Sequence, residues 1–153
     1  MELEQQLAEL INDATNYGIQ PIVIEKAIAP VLEVFACQLQ HLEYYVLQNL
    51  EEDWVLTTIT NPQKSQEKTV IYAFISVQDA ATFQRESNPD LIAMPIPVAQ
   101  LLFRLFSLQQ VDSIIFLENS QNFNHGIEIN RNQLSNSIKQ QLKQFKQNPP
   151  NIA

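Results

Sequence analysis

Apolar and polar positions follow one another along residues 69–119 in a way that predicts five elements of secondary structure. Three short runs are mostly apolar, and in the two runs between them apolar residues recur every three or four positions, as on one face of a helix. The apolar runs lie at 69–75, 91–94 and 111–119, and the helical runs at 79–87 and 97–110. This order predicts a β-α-β-α-β unit. The first and third runs are apolar on both faces, which is typical of interior strands covered on two sides.

The first forty residues are predicted to form a helical addition to this unit. Apolar residues share one side of residues 2–17, opposite acids and glutamines, and Gly18 supplies the left-handed residue that ends such a helix. Pro30 is expected to divide the segment that follows into a short helix at 21–28 and a longer one at 30–39, because proline disrupts a helix interior.

The segments on either side of the central unit add strands and a closing helix. Residues 44–49 and 54–60 are rich in Tyr, Val, Thr and Ile and predict a hairpin with an acidic tip. A strand at 126–130 and a helix at 132–147 follow the unit. The expected fold is α+β or α/β, a single domain over residues 1–153. It has one mixed sheet of about six strands, flanked by helices.

Prolines place one limit on that sheet. Pro95 and Pro97 adjoin the apolar run at 91–94, and a proline cannot donate a hydrogen bond to a neighbouring strand. We therefore expect this strand to be short or to lie at an edge, with Pro97 opening the second helix.

Charge and cysteine content indicate which binding partners and which cellular compartment are expected. Residues 1–53 carry ten acids and one lysine, a net charge of −9, and the whole chain carries −8. An acidic first third repels phosphate and anionic lipid, which argues against nucleic-acid and membrane partners. The single Cys37 excludes an internal disulfide and, with no apolar leader, favours the cytoplasm. Cys37 is expected to be a small buried apolar group, with a reactive thiol as the alternative.

Candidate catalytic and metal-binding groups are few. Gly18 and Gly126 are the only glycines, so loops that cradle phosphates are excluded. Neither His41 nor His125 has a convincing nucleophile beside it. A metal site built from His125 with Glu128, from Asp112 with Glu118, or from the acids at 51–53 is disfavoured against solvated loop residues. We expect a protein without a catalytic residue, cofactor or metal.

Four aromatic residues are the candidate partner-binding residues. Phe103 falls outside the apolar stripe of the helix at 97–110, next to Phe106. Either the acidic N-terminal helices cover it, or Phe103 and Phe106 form an exposed ridge that meets a partner or a second copy of the chain. Tyr45 and Trp54 on the hairpin are either core aromatics or anchors of a recognition surface.

The order of these patterns resembles a known family. The likeness lies in four strand segments, two of which are followed by a helix. They are Val70-Ile71-Tyr72-Ala73-Phe74-Ile75-Ser76 with its Ala-bearing helix, Ile92-Ala93-Met94-Pro95 with a leucine-rich helix, Asp112-Ser113-Ile114-Ile115-Phe116-Leu117, and Gly126-Ile127-Glu128-Ile129. They are similar to the SseB-like N-terminal domain (enhanced serine sensitivity protein B) over about residues 44–145. With the closing helix this gives a core at 44–147. The chain departs from that family at Glu118-Asn119-Ser120, where an Asn-Pro-Gly turn is usual.

The resemblance implies an α/β fold and no catalytic activity. Small size, acidity and the mixed order of elements also resemble type III secretion chaperones, which clasp segments of their partners. These likenesses favour a non-catalytic protein-binding module, an adaptor or assembly chaperone for a protein or peptide partner that could also self-associate as a dimer. The alternatives are a small-ligand-binding regulatory domain with a pocket at the carboxyl ends of the strands, and an enzyme of unrecognised type.

Overall fold

A computed structural model describes residues 1–84 and 88–147. It contains one mixed six-stranded sheet with helices around it, which confirms the expected fold class. The strands are β1 (Glu43–Gln48), β2 (Thr57–Asn61), β3 (Gln66–Phe74), β4 (Ile92–Pro97), β5 (Ser113–Leu117) and β6 (Ile127–Asn130), and the helices are α1 (Leu3–Asn12), α2 (Pro21–Val23), α3 (Ala29–Ala36), α4 (Val77–Phe83), α5 (Val98–Ser107) and α6 (Arg131–Gln147). The predicted residues 85–87 of the first crossover helix and the tail at 148–153 lie outside the described residues.

The β-α-β-α-β unit is confirmed as β3-α4-β4-α5-β5. Strand order across the sheet is β4-β1-β3-β5-β6, and β3 and β5 are its one parallel pair among the described strands, with Ile71 opposite Ile114. As expected from its prolines, β4 lies at an edge. Pro97 is the last residue of β4 and precedes the first residue of α5, so the expected helix start is one residue early.

Side chains alternate along each strand between the two faces of the sheet, and the two faces are covered by different helices. On the covered face, Ile71, Ile114 and Phe116 pack into the large core beneath α1, α3, α5 and α6. On the opposite face, Phe74 and Leu117 pack with α4 in a smaller core. Ile115 also lies on this second face, where it packs against the smaller core and is half-buried. The deeply buried isoleucine of β5 is Ile114, which points into the larger core.

The N-terminal helical addition is present, with one correction. Gly18 has the left-handed conformation expected of a helix-ending residue, with φ of 71°. Pro30 does not divide the following segment, because α2 runs through a π-helical turn at Ile24–Ile28 directly into α3. A wider turn before Pro30 is one way to relieve the clash between a proline ring and the preceding helical carbonyls.

The predicted hairpin is right at its tip and wrong in the pairing beyond it. The chain turns at residues 49–53, where the Asn49 N–H donates to the Asp53 carbonyl at 2.9 Å, and Trp54 and Val55 pair with the end of β1, but β2 itself does not pair with β1. Instead β1 pairs with the end of β3, and β2 pairs with the start of β3 on the same edge. The two strands therefore lie end to end, because the longer β3 gives both of them a partner.

Cys37 also differs from expectation. It caps the C-terminal end of α3 and is exposed, so its interpretation as a buried apolar group is wrong. The core-facing residues at this end of the helix are Leu32 and Ala36, which leave Cys37 on the solvent side.

Candidate functional site

The structure buries Phe103 and half-buries Phe106, so the exposed ridge is wrong. Phe103 is 5% exposed, and its ring lies 4.9 Å, centroid to centroid, from that of Tyr17 in the N-terminal addition. Phe106 packs against the large core. The reason is that α5 contacts α1, α3, α6 and β4, so this side of the helix is also covered. The alternative, in which the N-terminal segment covers Phe103, is confirmed.

Tyr45 and Trp54 lie apart from each other. Tyr45 is half-buried on the opposite face of the sheet, whereas Trp54 is 7% exposed and belongs to the core of the covered face. Trp54 is thus a core aromatic rather than an exposed anchor. Its ring carries the guanidinium of Arg104, whose central carbon lies 3.9 Å from the ring centroid. Arg104 could not be identified from the sequence, because fifty positions separate it from Trp54 and a local pattern of residues cannot show their contact.

Arg104 opens onto a concavity that we call the edge groove. The groove lies between α5 and the edge strand β4, it is closed on one side by the turn after β1, and its volume is about 360 Å³. Its lining residues are Gln48, Glu52, Met94, Pro95, Ile96, Gln100 and Arg104. Met94 is 38% exposed and its strand neighbour Ile92 is 46% exposed. The edge groove therefore combines uncovered apolar surface with amide groups, the guanidinium of Arg104 and the carboxylate of Glu52.

Arg104 is a partly desolvated cation. Burial lowers the pKa of its guanidinium below the ordinary value, although the nearby Tyr17 and Asp53 act in the other direction. Within residues 1–84 and 88–147 there are two acid–base contacts within 4 Å, His41–Glu118 and Lys68–Glu128, and neither involves Arg104. Arg104 is therefore a half-buried positive charge against an aromatic ring, near Asp53 but in no ion pair with it, which leaves its donors available to a ligand.

The free edge of β4 is closed to strand addition by its prolines. The Val98 N–H donates to the Leu42 carbonyl at 2.9 Å, so alternate residues of β4 direct their backbone groups towards β1. Pro95 and Pro97 then face the free edge, where neither has an N–H to offer. A partner at this edge must therefore use side-chain contacts rather than a continuous backbone ladder.

A second polar cluster lies inside the protein, beyond the carboxyl end of β5. The Tyr44 hydroxyl donates to Glu118 Oε1 at 2.5 Å and accepts a hydrogen bond from the His41 N–H at 3.2 Å. The second oxygen, Glu118 Oε2, lies 3.8 Å from His41 Nε2 and has no hydrogen-bond partner among the described residues. Burial, together with the hydrogen bond to Glu118 and its charge, raises the pKa of Tyr44 far above its ordinary value. Tyr44 and Glu118 are buried while His41 is exposed, so the buried pair joins the chain segments around it and His41 covers it from the solvent side.

A third feature is a polar hollow of about 710 Å³ on the opposite face of the sheet. Its lining residues are Ile59, Asn61, Gln66, Glu67, Lys68, Asp112, Asn130 and Asn132. It lies at the amino ends of β3 and β5, whereas the sequence analysis placed a small-ligand pocket at the carboxyl ends. Beside it, burial raises the pKa of Glu128, but hydrogen bonds from Lys68 and Ser113 outweigh burial and bring the pKa below its ordinary value.

Comparison with known proteins adds no functional assignment. No protein-family model matches the chain, and no curated protein matches it. The likeness to the SseB-like domain therefore stays a prediction.

Two properties of the described residues bear on chemistry and on membranes. In the described part of the chain, no three His, Cys, Asp or Glu side chains lie close enough together to hold a metal ion. None of its helices combines the length and the apolar character that a membrane span needs.

Proposed function

We propose that the protein is a non-catalytic binding module, an adaptor or assembly chaperone of the cytoplasm, which holds a segment of a partner protein in the edge groove. The observation that carries this proposal is the exposure of Met94 in a groove that it shares with the half-buried Arg104. Apolar side chains next to a positioned arginine are the composition that dominates binding energy at protein interfaces.

The construction of the edge groove supports this function. Its two walls are regular elements, α5 and β4, and residues of both pack into the large core, as Leu101 and Ile96 do. A groove with walls of this kind keeps its shape when empty, so a partner does not spend binding free energy on ordering it. The prolines at the free edge select a partner that docks through side chains.

A pair of matched variants tests the proposal. Met94→Glu removes apolar surface from the groove and adds a carboxylate that can occupy Arg104, and should abolish capture of the native partner by the tagged protein. Val34→Glu alters an equally apolar residue that is 63% exposed on α3, away from the groove, and should leave capture unchanged. Both variants should keep the wild-type far-ultraviolet spectrum. Equal capture by Met94→Glu and Val34→Glu would contradict the proposal.

Self-association is measured with the same two variants. If the partner is a second copy of the chain, sedimentation of the wild type should show a dimer, Met94→Glu a monomer, and Val34→Glu a dimer. A dimer in all three would place the interface elsewhere.

A second candidate function, a small-ligand regulatory domain, is favoured by the polar hollow. Its amide and carboxylate groups suit a polar ligand with several hydroxyl or amine groups. A small molecule retained in native mass spectrometry by the wild type and lost on Asn130→Ala would support this candidate.

A further inference from the structure

We propose that Arg104 is a carboxylate-binding residue, and that the partner segment held in the edge groove carries an Asp or Glu side chain next to an apolar residue. This inference deepens the proposed function and rests on it, because it names the chemistry by which the groove selects its occupant.

The first support is the position of the guanidinium. Its central carbon lies 3.9 Å from the centroid of the Trp54 ring, a cation–π contact that holds the group in place and leaves its N–H donors free to bind a ligand. A carboxylate is the partner that accepts two such donors in parallel. An arginine positioned in advance loses little freedom when it binds.

The second support is that Arg104 forms no ion pair among the described residues, although Asp53 is near enough to act on its pKa. The chain has 17 acids and nine bases, yet Arg104 has no acid within 4 Å among the described residues. Its burial disfavours the charged form, so an incoming carboxylate gains more from it than from a fully solvated cation. This unsatisfied charge is the feature of the groove that distinguishes one ligand chemistry from another.

Glu52 also lines the groove and raises the opposite possibility, a basic ligand. Glu52 is exposed, and ion pairs at exposed positions contribute little because water and salt screen them. The half-buried Arg104 is therefore the stronger of the two charges, and a negatively charged occupant is favoured. Glu52 should weaken carboxylate binding slightly, and Glu52→Gln should strengthen it.

The apolar lining supplies the rest of the recognition. Met94, Pro95 and Ile96 lie along one wall, and Gln48 and Gln100 offer amide groups to a peptide backbone. An acidic side chain alone would leave this wall uncovered. A segment with an acid flanked by apolar residues covers the wall and meets Arg104 at the same time.

The test uses two peptides that differ in one charge. Acetyl-Leu-Glu-Leu-amide and acetyl-Leu-Gln-Leu-amide are titrated into the full chain, and binding is followed by the fluorescence of Trp54, the only tryptophan. We expect the Glu peptide to bind about tenfold more tightly, because a charge-assisted pair is stronger than its neutral counterpart by about that factor. The preference should shrink as salt is added.

Variants assign the preference to one residue. Arg104→Met keeps an apolar stem on Trp54 and should remove the preference for the Glu peptide. Lys139→Met removes one positive charge from an exposed position on α6 and should leave the preference intact. Arg104→Lys should retain only part of it, because an ammonium lacks the planar pair of donors.

The outcomes separate this inference from the proposed function. One outcome is that both peptides bind equally well and that Met94→Glu abolishes the binding of both. This result would overturn the role of Arg104 but would leave the groove as the binding site. No binding of either peptide would overturn the inference together with this use of the groove. A third peptide, acetyl-Leu-Gln-Leu with a free carboxyl end, carries its carboxylate at the chain terminus. If it binds more tightly than the Glu peptide, the group that Arg104 binds is a terminal carboxylate and not an acidic side chain.

Discussion

Glu118 and Arg104, two of the charged groups that are withdrawn from water among the described residues, differ in how the chain surrounds them. Glu118 is enclosed by chain segments that bring Tyr44 and His41 to its carboxyl group. Arg104 lies over the Trp54 ring at the rim of an open groove and forms no ion pair among the described residues. A buried charge that the chain itself contacts, as Tyr44 contacts one oxygen of Glu118, ties segments together. One that stays unsatisfied at the surface, beside exposed apolar residues, is typical of a position that a partner completes.

The largest expected effect falls on the enclosed cluster. Tyr44 is fully buried on the covered face, whereas its neighbour Tyr45 is half-buried on the opposite face. Tyr44→Ala should lower the free energy of unfolding by about 3–5 kcal/mol, as is usual for a truncated core aromatic. Urea titration measures this loss, and Tyr45→Ala, which empties less space, should cost clearly less. Equal losses for the two tyrosines would mean that the two faces are covered alike.

A smaller effect is expected from the hydroxyl of Tyr44 alone. Tyr44→Phe removes the donor to Glu118 and leaves a buried carboxyl oxygen unpaired, at a cost of about 1–3 kcal/mol. Peptide binding in the edge groove should not change, because the cluster takes no part in it. A loss of binding with Tyr44→Phe would contradict the separation between the two sites.

The same cluster should make the fold sensitive to alkali. The pKa of Tyr44 is raised in the folded state, so the folded protein keeps its phenol proton at a pH where the unfolded chain has lost it. The contribution to stability is complete below the unfolded pKa of about 10 and declines above it, by up to about 1.4 kcal/mol per pH unit. Tyr44→Phe should show a shallower decline in urea midpoints between about pH 9 and 11. Tyr72, whose pKa is also raised, keeps part of the dependence.

The periodicity of apolar residues was sufficient to predict the helices and strands, but not which strands pair with each other. The runs around Ile71 and Ile114 are local, so their strands could be predicted, and the prolines of β4 correctly indicated an edge. The hairpin was misassigned because a local pattern cannot show that β1 and β2 both pair with the longer β3. Phe103 was open to either interpretation because its cover comes from the distant Tyr17.

The polar sites could not be predicted because they also depend on contacts between residues that are distant in the sequence. Tyr44 and Glu118 are 74 positions apart, and only the packed sheet brings them together. No signal in the sequence identified Arg104, since its role depends on its contact with the distant Trp54 and on its lack of an ion pair among the described residues. A helix that contacts four elements leaves few of its side chains in the environment that a helical wheel assigns to them.

Site-specific photo-crosslinking tests most directly whether the edge groove holds the partner. A benzophenone amino acid placed at Met94 should form a covalent adduct with one partner in native extract, or with a second copy of the chain. The same group at Val34, which is more exposed, should form no such adduct. Mass spectrometry of the adduct should place an acidic residue close to the attachment point, as expected for a segment that meets Arg104. A specific adduct at Val34 with none at Met94 would contradict the assignment of the edge groove as the binding site.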